Sequence, residues 1–187
     1  MPDRPVLYVD LGSPYAYLAV ERAPALLGAE PELRPVLLGA IFAWRGSGSW
    51  AATSERPARV ADLEARAARA GLPPFAWPPG WPADGLAAMR AATWAAMQGR
   101  ATAFARSAFR LQFVDGADLA DLTVLEAAAG VAGLDPAALR PAIADPAVKQ
   151  RLRDATQAAW DAGVRGIPTL EVGGELYYGD DRLEAAA

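Results

Sequence analysis

The sequence predicts an α/β fold in which sheet-forming segments at the two ends of the chain enclose a long helical middle. Val6 to Asp10 is a short apolar run typical of a buried strand. Near the other end, Thr169–Val172 and Glu175–Tyr178 flank Gly173-Gly174, which is a two-residue hairpin turn. Between these ends the chain is rich in alanine and arginine at helical spacing, so we expect a large all-helical insertion.

The length indicates a single domain. A chain of 187 residues can build one substantial core and has little room for a second. We expect one domain over 1–187, with 1–38 and 163–187 forming the sheet-containing core and 39–162 forming the helical insertion.

Charge and hydropathy restrict the partners. The net charge of -4 argues against nucleic acid or an anionic membrane surface as the main partner. No apolar run approaches the roughly 20 residues that cross a bilayer, and Met1–Pro5 leads into a strand and not into a signal peptide. We therefore expect a cytoplasmic protein with no nucleic-acid and no membrane partner.

Two residue types are absent from the sequence. Without cysteine there is no disulfide, no thiolate of the chain's own and no cysteine-ligated metal. Without histidine there is no Ser-His-Asp triad and no imidazole ligand. We expect no metal site, and any catalysis must use hydroxyls, carboxylates, backbone amides, arginine, lysine or a borrowed group.

The first strand leads into a strand–helix–strand unit. Leu11–Ser13 is a turn that ends in a residue able to cap a helix. Apolar spacing predicts a helix over Tyr15–Leu27, which Pro24 should kink or end early. Leu33–Leu38 reads as a second strand, and Pro35 within it indicates an edge strand or a break.

The middle of the chain is predicted to be helical with one interruption. Five prolines make Leu72–Pro82 an ordered, aromatic-rich loop instead of a helix. Acidic residues at Asp180 and Asp181 start a terminal helix. The predicted helices of the insertion are Pro57–Ala70, Leu86–Gln112, Asp121–Ala132, Pro136–Ile143 and Asp145–Ala162.

Several segments resemble one family over nearly the whole chain. Asp10–Ala19, Gly163–Thr169 and Gly174–Leu183 are similar to the corresponding segments of 2-hydroxychromene-2-carboxylate isomerases and of their kappa-class glutathione transferase relatives. Leu38–Phe42 and Phe109–Leu119 resemble the same family. The resemblance implies a thioredoxin-like fold of the DsbA-like type, and a homodimer.

The resemblance also implies glutathione as cofactor. At the position where related disulfide oxidoreductases carry cysteine, this chain has Ser13, whose hydroxyl in the family donates a hydrogen bond to the glutathione thiolate. Ser13 is therefore the candidate catalytic residue, although a serine before Pro14 is also an ordinary helix N-cap. The two roles are compatible. The alanine- and arginine-rich composition is typical of a protein from a high-GC bacterium. Because such bacteria often use a different low-molecular-weight thiol, another thiol is an alternative to glutathione.

Four further residues are candidate cofactor ligands by resemblance. Ile167-Pro168 resembles the cis-proline step at which thioredoxin-like proteins pair with an extended thiol peptide; an ordinary trans proline is the alternative. Asp180 and Asp181 match the segment that holds the γ-glutamyl end of glutathione, with Asp181 the better match. As acids in a first helical turn they also have a structural explanation.

The candidate substrate-binding residues are Tyr15, Phe42, Trp44, Trp81 and Asp84. The aromatic residues could line a pocket for a flat apolar substrate. For most of the six tryptophans, packing of the helical insertion against the sheet is the better explanation. The family often has a lysine where Ala43 stands and an asparagine where Asp84 stands. Candidates for a substrate carboxylate, each also a plain surface arginine, are Arg45, Arg56, Arg59 and Arg90.

The sequence therefore predicts a glutathione-dependent cis-trans isomerase acting on an aromatic or conjugated keto acid. One alternative is a kappa-like glutathione transferase that leaves a stable adduct. Another is a non-catalytic protein of thioredoxin-like fold that binds a thiol or a peptide.

Overall fold

The computed structural model describes residues 4–186, which form four strands and nine α-helices. The strands are β1 (Val6–Val9), β2 (Glu32–Pro35), β3 (Thr169–Val172) and β4 (Glu175–Tyr178). The helices are α1 (Pro14–Leu27), α2 (Leu38–Arg45), α3 (Arg56–Arg69), α4 (Leu86–Met97), α5 (Ala101–Phe113), α6 (Leu122–Val131), α7 (Leu139–Ala144), α8 (Pro146–Asp161) and α9 (Leu183–Ala186). Residues 1–3 and 187, which belong to the predicted ranges 1–38 and 163–187, lie outside the described residues.

The four strands form one mixed sheet in the order β2-β1-β3-β4. β1 and β2 are parallel and joined through α1, whereas β1–β3 and β3–β4 are antiparallel. The predicted first strand and hairpin are confirmed. β2 lies at an edge of the sheet and ends at Pro35, as the proline predicts.

Pro24 was predicted to kink α1 or to end it early, and the early end is wrong, because α1 continues to Leu27 and ends at Gly28 in a left-handed conformation, φ 66°. A proline removes one hydrogen bond from the helix. The buried face of α1, which packs against α3, α5 and α9, outweighs that loss.

The predicted helix Leu86–Gln112 is two helices in the structure. α4 ends at Met97 and α5 begins at Ala101, with Gly99 at φ 69° between them. Only glycine adopts this conformation at little cost, so Gly99 marks the break. The predicted second strand was also too long, because Leu38 begins α2 instead of ending β2.

The remaining helices agree with prediction to within a few residues. The predicted helix Pro136–Ile143 begins as a 3₁₀ turn over Pro136–Ala138 and continues as α7. The terminal helix likewise begins as a 3₁₀ turn over Asp180–Arg182. Asp121, Asp135 and Asp145 each cap the following helix by accepting a backbone N–H.

A single hydrophobic core joins the sheet to the insertion. Leu7, Val9 and Leu18 are fully buried and belong to the same cluster as Phe109 and Phe113 of α5. The sheet-containing part of the chain and the helical insertion therefore pack against each other and do not form separate units. Among residues 4–186, no helix combines the length and the apolar character needed to cross a membrane.

Tyr17 carries a buried hydroxyl that has no hydrogen-bond partner within the described residues. Its ring packs against Phe75, Phe109 and Phe113. Burial raises the pKa of the Tyr17 phenol to about 12, assisted by Glu21. This phenol lies in the apolar core with its polar atom unsatisfied, which costs stability.

We predict that Tyr17→Phe stabilises the protein by about 1 kcal/mol, because it removes the unsatisfied hydroxyl. The pH dependence has a definite sign. From pH 10.0, the ordinary tyrosine pKa, to about 12, the unfolded phenol ionises while the folded phenol keeps its proton, so the wild type loses stability as pH rises. The advantage of Tyr17→Phe should therefore grow over this range in urea unfolding.

Tyr8→Phe is the matched control. The Tyr8 hydroxyl donates to Glu171 at 2.8 Å and accepts from Arg34 at 3.3 Å, so its loss should destabilise by about 1 kcal/mol. Destabilisation by Tyr17→Phe comparable to that of Tyr8→Phe would contradict this account of the core.

Candidate active site

The turn between β1 and α1 is fixed by hydrogen bonds from the helical insertion. The Leu11 carbonyl accepts from the Gln112 side chain at 3.0 Å, and the Leu11 amide faces the Met89 sulfur at 3.1 Å. The Gly12 carbonyl accepts from the Trp81 indole N–H at 3.2 Å. The insertion thus fixes the position from which α1, and the serine at its start, project.

Asp10 links this turn to the next helix. One carboxylate oxygen accepts the Gly12 N–H and the other accepts the Leu38 N–H, each at 2.8 Å. Leu38 is the first residue of α2. Burial raises the pKa of the Asp10 carboxyl, and the two backbone N–H bonds oppose that rise. Asp10 therefore holds the start of α1 and the start of α2 in a fixed relation.

Ser13 is the N-cap of α1 and leaves its hydroxyl proton free. Its Oγ accepts the Ala16 N–H at 3.2 Å, which is the ordinary capping bond. Within residues 4–186 the Ser13 hydroxyl donates to nothing, and the Tyr15 amide donates to nothing either. Two free donors thus lie at the N-terminus of α1, where the helix dipole favours an anion.

The Ile167–Pro168 bond is cis, as the resemblance implied. The backbone on either side of this step is secured, because the Pro168 carbonyl accepts the Gly179 N–H at 2.9 Å and the Gly166 carbonyl accepts the Thr169 hydroxyl at 2.7 Å. The Ile167 amide and carbonyl have no hydrogen-bond partner in the described part of the chain. They can pair with an extended peptide.

Ser13 and Ile167 line the same pocket, of about 270 Å³. Apolar and aromatic side chains from α1, α2 and the proline-rich loop form its walls. Ring centroids of Trp50 and Trp81 lie 5.5 Å apart, and those of Tyr15 and Trp50 lie 6.0 Å apart. The candidates that the structure brings into this pocket are Ser13, Ile167, Tyr15, Phe42 and Trp81.

The structure does not bring Trp44 or Asp84 into the pocket. Phe42 and Trp44 are two residues apart on α2 and so point in different directions. The Trp44 ring, 43% exposed, packs against Trp160 of α8 instead. Asp84 is exposed and accepts the Leu86 N–H at 3.0 Å, at the start of α4.

Two of the candidate arginines line the pocket. Arg45 donates to the Arg165 carbonyl at 2.7 Å and has no carboxylate partner within residues 4–186. Arg59 is paired with Glu55 at 3.0 Å. Arg45 is therefore the guanidinium free to receive an incoming carboxylate.

The other two arginines lie outside this pocket. Arg56 donates to the Trp81 carbonyl at 2.8 Å and stacks on the Trp81 ring, so it supports the wall from behind. Arg90 lies on α4 and does not line the pocket.

Tyr178 closes one side of the pocket. Its ring lies so close over Gly166 that a Cβ at that residue would overlap it. Glycine is therefore required at 166 for this ring position. Tyr177 points elsewhere and its hydroxyl donates to Glu175, as expected for neighbouring strand residues.

A second cavity, of about 570 Å³, contains both candidate acids near the C-terminus. The Asp180 carboxylate is 1% exposed and pairs with Arg66 at 2.9 Å and with Arg22 at 3.4 Å. Burial raises the pKa of Asp180, and the two guanidinium groups oppose that rise. Because its oxygens are engaged, Asp180 organises the wall of the cavity.

Asp181 and Arg69 also line this second cavity. The carboxylate of Asp181 and the guanidinium of Arg69 have no ion-pair partners in the described chain. Tyr15 of the Ser13 pocket contacts a residue of the second cavity, because the Arg66 guanidinium lies 5.7 Å from the centre of the Tyr15 ring. Burial raises the pKa of the Tyr15 phenol, which the Arg59 guanidinium opposes.

The sequence reasoning missed Trp50 and Asp10. Trp50 follows the glycine- and serine-rich segment at 46–49, whose irregular pattern gave no periodicity from which to place it. Asp10 looked like the end of a strand. Its position directly before the turn to Ser13 was the available signal.

The fold and the pocket define a class of protein. Residues 6–187 match the model of the DSBA-like thioredoxin domain, and the chain belongs to that family. The predicted thioredoxin-like fold is confirmed.

Within this family the relationship is more specific. The chain is 31% identical over 183 residues to a 2-hydroxychromene-2-carboxylate isomerase of Sphingobium xenophagum, a match that covers 95% of this chain and 92% of the relative. This confirms the predicted relationship to the 2-hydroxychromene-2-carboxylate isomerase family.

Solved structures agree on the fold. A 2-hydroxychromene-2-carboxylate isomerase superposes with a TM-score of 0.83, at 22% identity over 97% of this chain and 91% of that chain. A probable DsbA oxidoreductase from Streptomyces coelicolor gives 0.73, at 23% identity over 98% and 87%. The cytosolic disulfide reductase DsbM of Pseudomonas aeruginosa, solved with GSH, gives 0.65, at 15% identity over 97% and 93%.

We predict that Asp10→Ala destabilises the protein by about 2–3 kcal/mol, because it leaves the Gly12 and Leu38 amides without their acceptor. Asp118→Ala is the control, since Asp118 makes the same kind of bond, to the Ala120 N–H at 2.8 Å, at an exposed site. It should cost less than about 1 kcal/mol. Equal losses in urea unfolding would mean that the Asp10 bridge does not organise this site.

Proposed function

We propose that the protein is a glutathione-dependent cis-trans isomerase of the 2-hydroxychromene-2-carboxylate isomerase type. The observation that carries the proposal is the free Ser13 hydroxyl proton at the N-terminus of α1, inside a pocket that also exposes the unpaired backbone of Ile167. The family relationship supports the isomerase reaction.

The thiol-binding part of the site fits a thiolate. The Ser13 hydroxyl and the Tyr15 amide are donors without acceptors in the described chain, at a helix end that favours negative charge. Donors aimed at sulfur stabilise its charged form and lower the pKa of the thiol. No basic side chain has to remove the proton, which suits a chain without histidine.

The rest of the tripeptide also has matching groups. The Ile167 amide and carbonyl can pair with the cysteinyl backbone in the manner of an added strand. Beyond Tyr15, Asp181 can accept the γ-glutamyl ammonium and Arg69 can bind the adjacent carboxylate. Asp180 holds Arg66 and Arg22 in place around them.

Glutathione, when bound, would supply the nucleophile that adds reversibly to a conjugated keto acid and so permits rotation about one of its bonds. The chain itself positions the reactants. Trp50, Trp81 and Phe42 offer flat apolar walls for an aromatic or conjugated body, and Arg45 offers a guanidinium for its carboxylate. Trp44 and Asp84, distant from this pocket, have no part in the proposal.

Two other functions make use of the same thiol site. A kappa-like transferase would leave glutathione attached to its electrophile, and a binding protein would hold a thiol or peptide without turnover. The aromatic pocket, which contains a guanidinium without a carboxylate partner in the described chain, favours an enzyme with a small acidic substrate. The identity of the thiol, the homodimer and the cytoplasmic location remain parts of this proposal.

We predict that Ser13→Ala raises the pKa of bound glutathione by about 1–2 units, because one hydrogen bond to the thiolate is lost. The measurement is the thiolate absorbance near 240 nm against pH, with calorimetry to verify saturation. Since Ser13 also caps α1, the control is Asp121→Ala, which removes the cap of α6 and should leave the thiol pKa unchanged.

An unchanged thiol pKa in Ser13→Ala, with glutathione bound, would remove Ser13 from its proposed role. If glutathione itself does not bind, other low-molecular-weight thiols take its place in the same titration. Product analysis with conjugated keto acids then separates the enzymes, because an isomerase regenerates the free thiol and a transferase consumes it.

A further inference from the structure

A cavity larger than the Ser13 pocket lies away from Ser13. It has a volume of about 690 Å³ and shares no lining residue with the Ser13 pocket. It is bounded by the edge strand β2, by the end of α4, by the start of α5 and by α8. Its size falls within the range typical of pockets for small molecules.

Small side chains keep this cavity open. Ala96 on α4 and Ala155 and Ala158 on α8 face it where larger residues would fill the space. Leu33, 4% exposed, provides an apolar floor, and Met97 provides a wall that is 49% exposed. Leu33, Met97 and the alanines thus give the cavity apolar surface that suits an apolar body, beside the polar groups of the same lining.

The rim of the cavity is positively charged in a chain whose net charge is -4. Four arginines and only two carboxylates line it, which leaves two positive charges in excess. The Glu32 carboxylate is already paired with Arg34 at 2.7 Å. The Asp154 carboxylate accepts from the Gln150 amide at 2.6 Å.

Arg100 and Arg151 are the two cavity arginines with unpaired guanidinium groups within the described chain. Neither guanidinium makes a hydrogen bond or an ion pair with any residue in the described range 4–186. They approach the cavity from different elements, since Arg100 lies in the break between α4 and α5 and Arg151 lies on α8. Two free guanidinium groups lining a cavity that also offers apolar surface are suited to an organic carboxylate, which a guanidinium can bind in bidentate geometry.

We propose that this cavity is a second ligand site, which binds a small organic carboxylate with its apolar body on Leu33 and its carboxylate between Arg100 and Arg151. The proposal is independent of the function assigned to the Ser13 pocket. The excess of positive charge excludes a metal cation as the ligand. The apolar surface at Leu33, Met97 and the alanines distinguishes the site from a surface patch that attracts any anion.

The test uses 1-naphthoate as the probe in calorimetry on the full chain, with 1-naphthylmethanol as its uncharged analogue. We expect 1-naphthoate to bind the wild type and its affinity to fall about tenfold in Arg100→Gln and in Arg151→Gln, because each removes a charged hydrogen bond. Arg153→Gln is the matched control, since Arg153 lies on the same helix, bonds Gln150 and does not line the cavity.

A filled cavity provides a second variant that keeps both arginines. Ala155→Leu should weaken binding of 1-naphthoate. All these variants are compared in the Arg45→Gln background, because Arg45→Gln removes the guanidinium that could hold the probe in the Ser13 pocket. Absence of binding would overturn the proposal. Binding of 1-naphthoate that Arg45→Gln abolishes and both cavity arginine variants retain would also overturn it. Two further results would do the same: 1-naphthylmethanol binding as tightly as 1-naphthoate, or inorganic phosphate competing as well as 1-naphthoate.

Discussion

The buried Asp10 carboxylate is the interaction on which the rest of the site depends. It accepts one backbone N–H from the turn before α1 and one from the first residue of α2. These two helices carry opposite walls of the pocket, with Ser13 and Tyr15 on one and Phe42 and Arg45 on the other. A single side chain therefore sets the distance between the candidate catalytic serine and the residues that would meet a substrate.

The helical insertion completes what the sheet begins. Trp81 and Gln112 donate to the Gly12 and Leu11 carbonyls of the turn, respectively. The sulfur of Met89 lies against the Leu11 amide. Trp81 also forms part of the pocket wall, so the residue that supports the turn would also contact the ligand. This explains why a thioredoxin-like sheet and its insertion share one core, since the site requires both.

Much of this could be predicted from the sequence where local chemistry decides the structure. The hairpin at Gly173-Gly174, the cap at Ser13 and the helix starts at Asp121, Asp135 and Asp145 all follow from residues next to one another in the chain. Prediction was wrong where burial outweighs local preference, as at Pro24, and where Gly99 was passed over as part of a helix.

The site showed the same division. The cis step at Ile167-Pro168 and the place of Ser13 at a helix start in a pocket could be predicted because the motifs that carry the resemblance are contiguous. The bridging role of Asp10 and the contribution of Trp50 depend on contacts between segments distant in sequence, which no local pattern reveals. The engaged state of Asp180 likewise depends on Arg66 of the insertion, and it agrees with the preference for Asp181 that the resemblance had given.

The most direct measurement is a crystal structure of the protein with bound glutathione. The account predicts that the sulfur lies within hydrogen-bond distance of the Ser13 hydroxyl, that the cysteinyl backbone pairs with Ile167 and that the γ-glutamyl end lies beside Asp181. A tripeptide bound elsewhere, or in this pocket with its sulfur directed away from Ser13, would contradict the claim that Ser13 and the α1 N-terminus form a thiolate site.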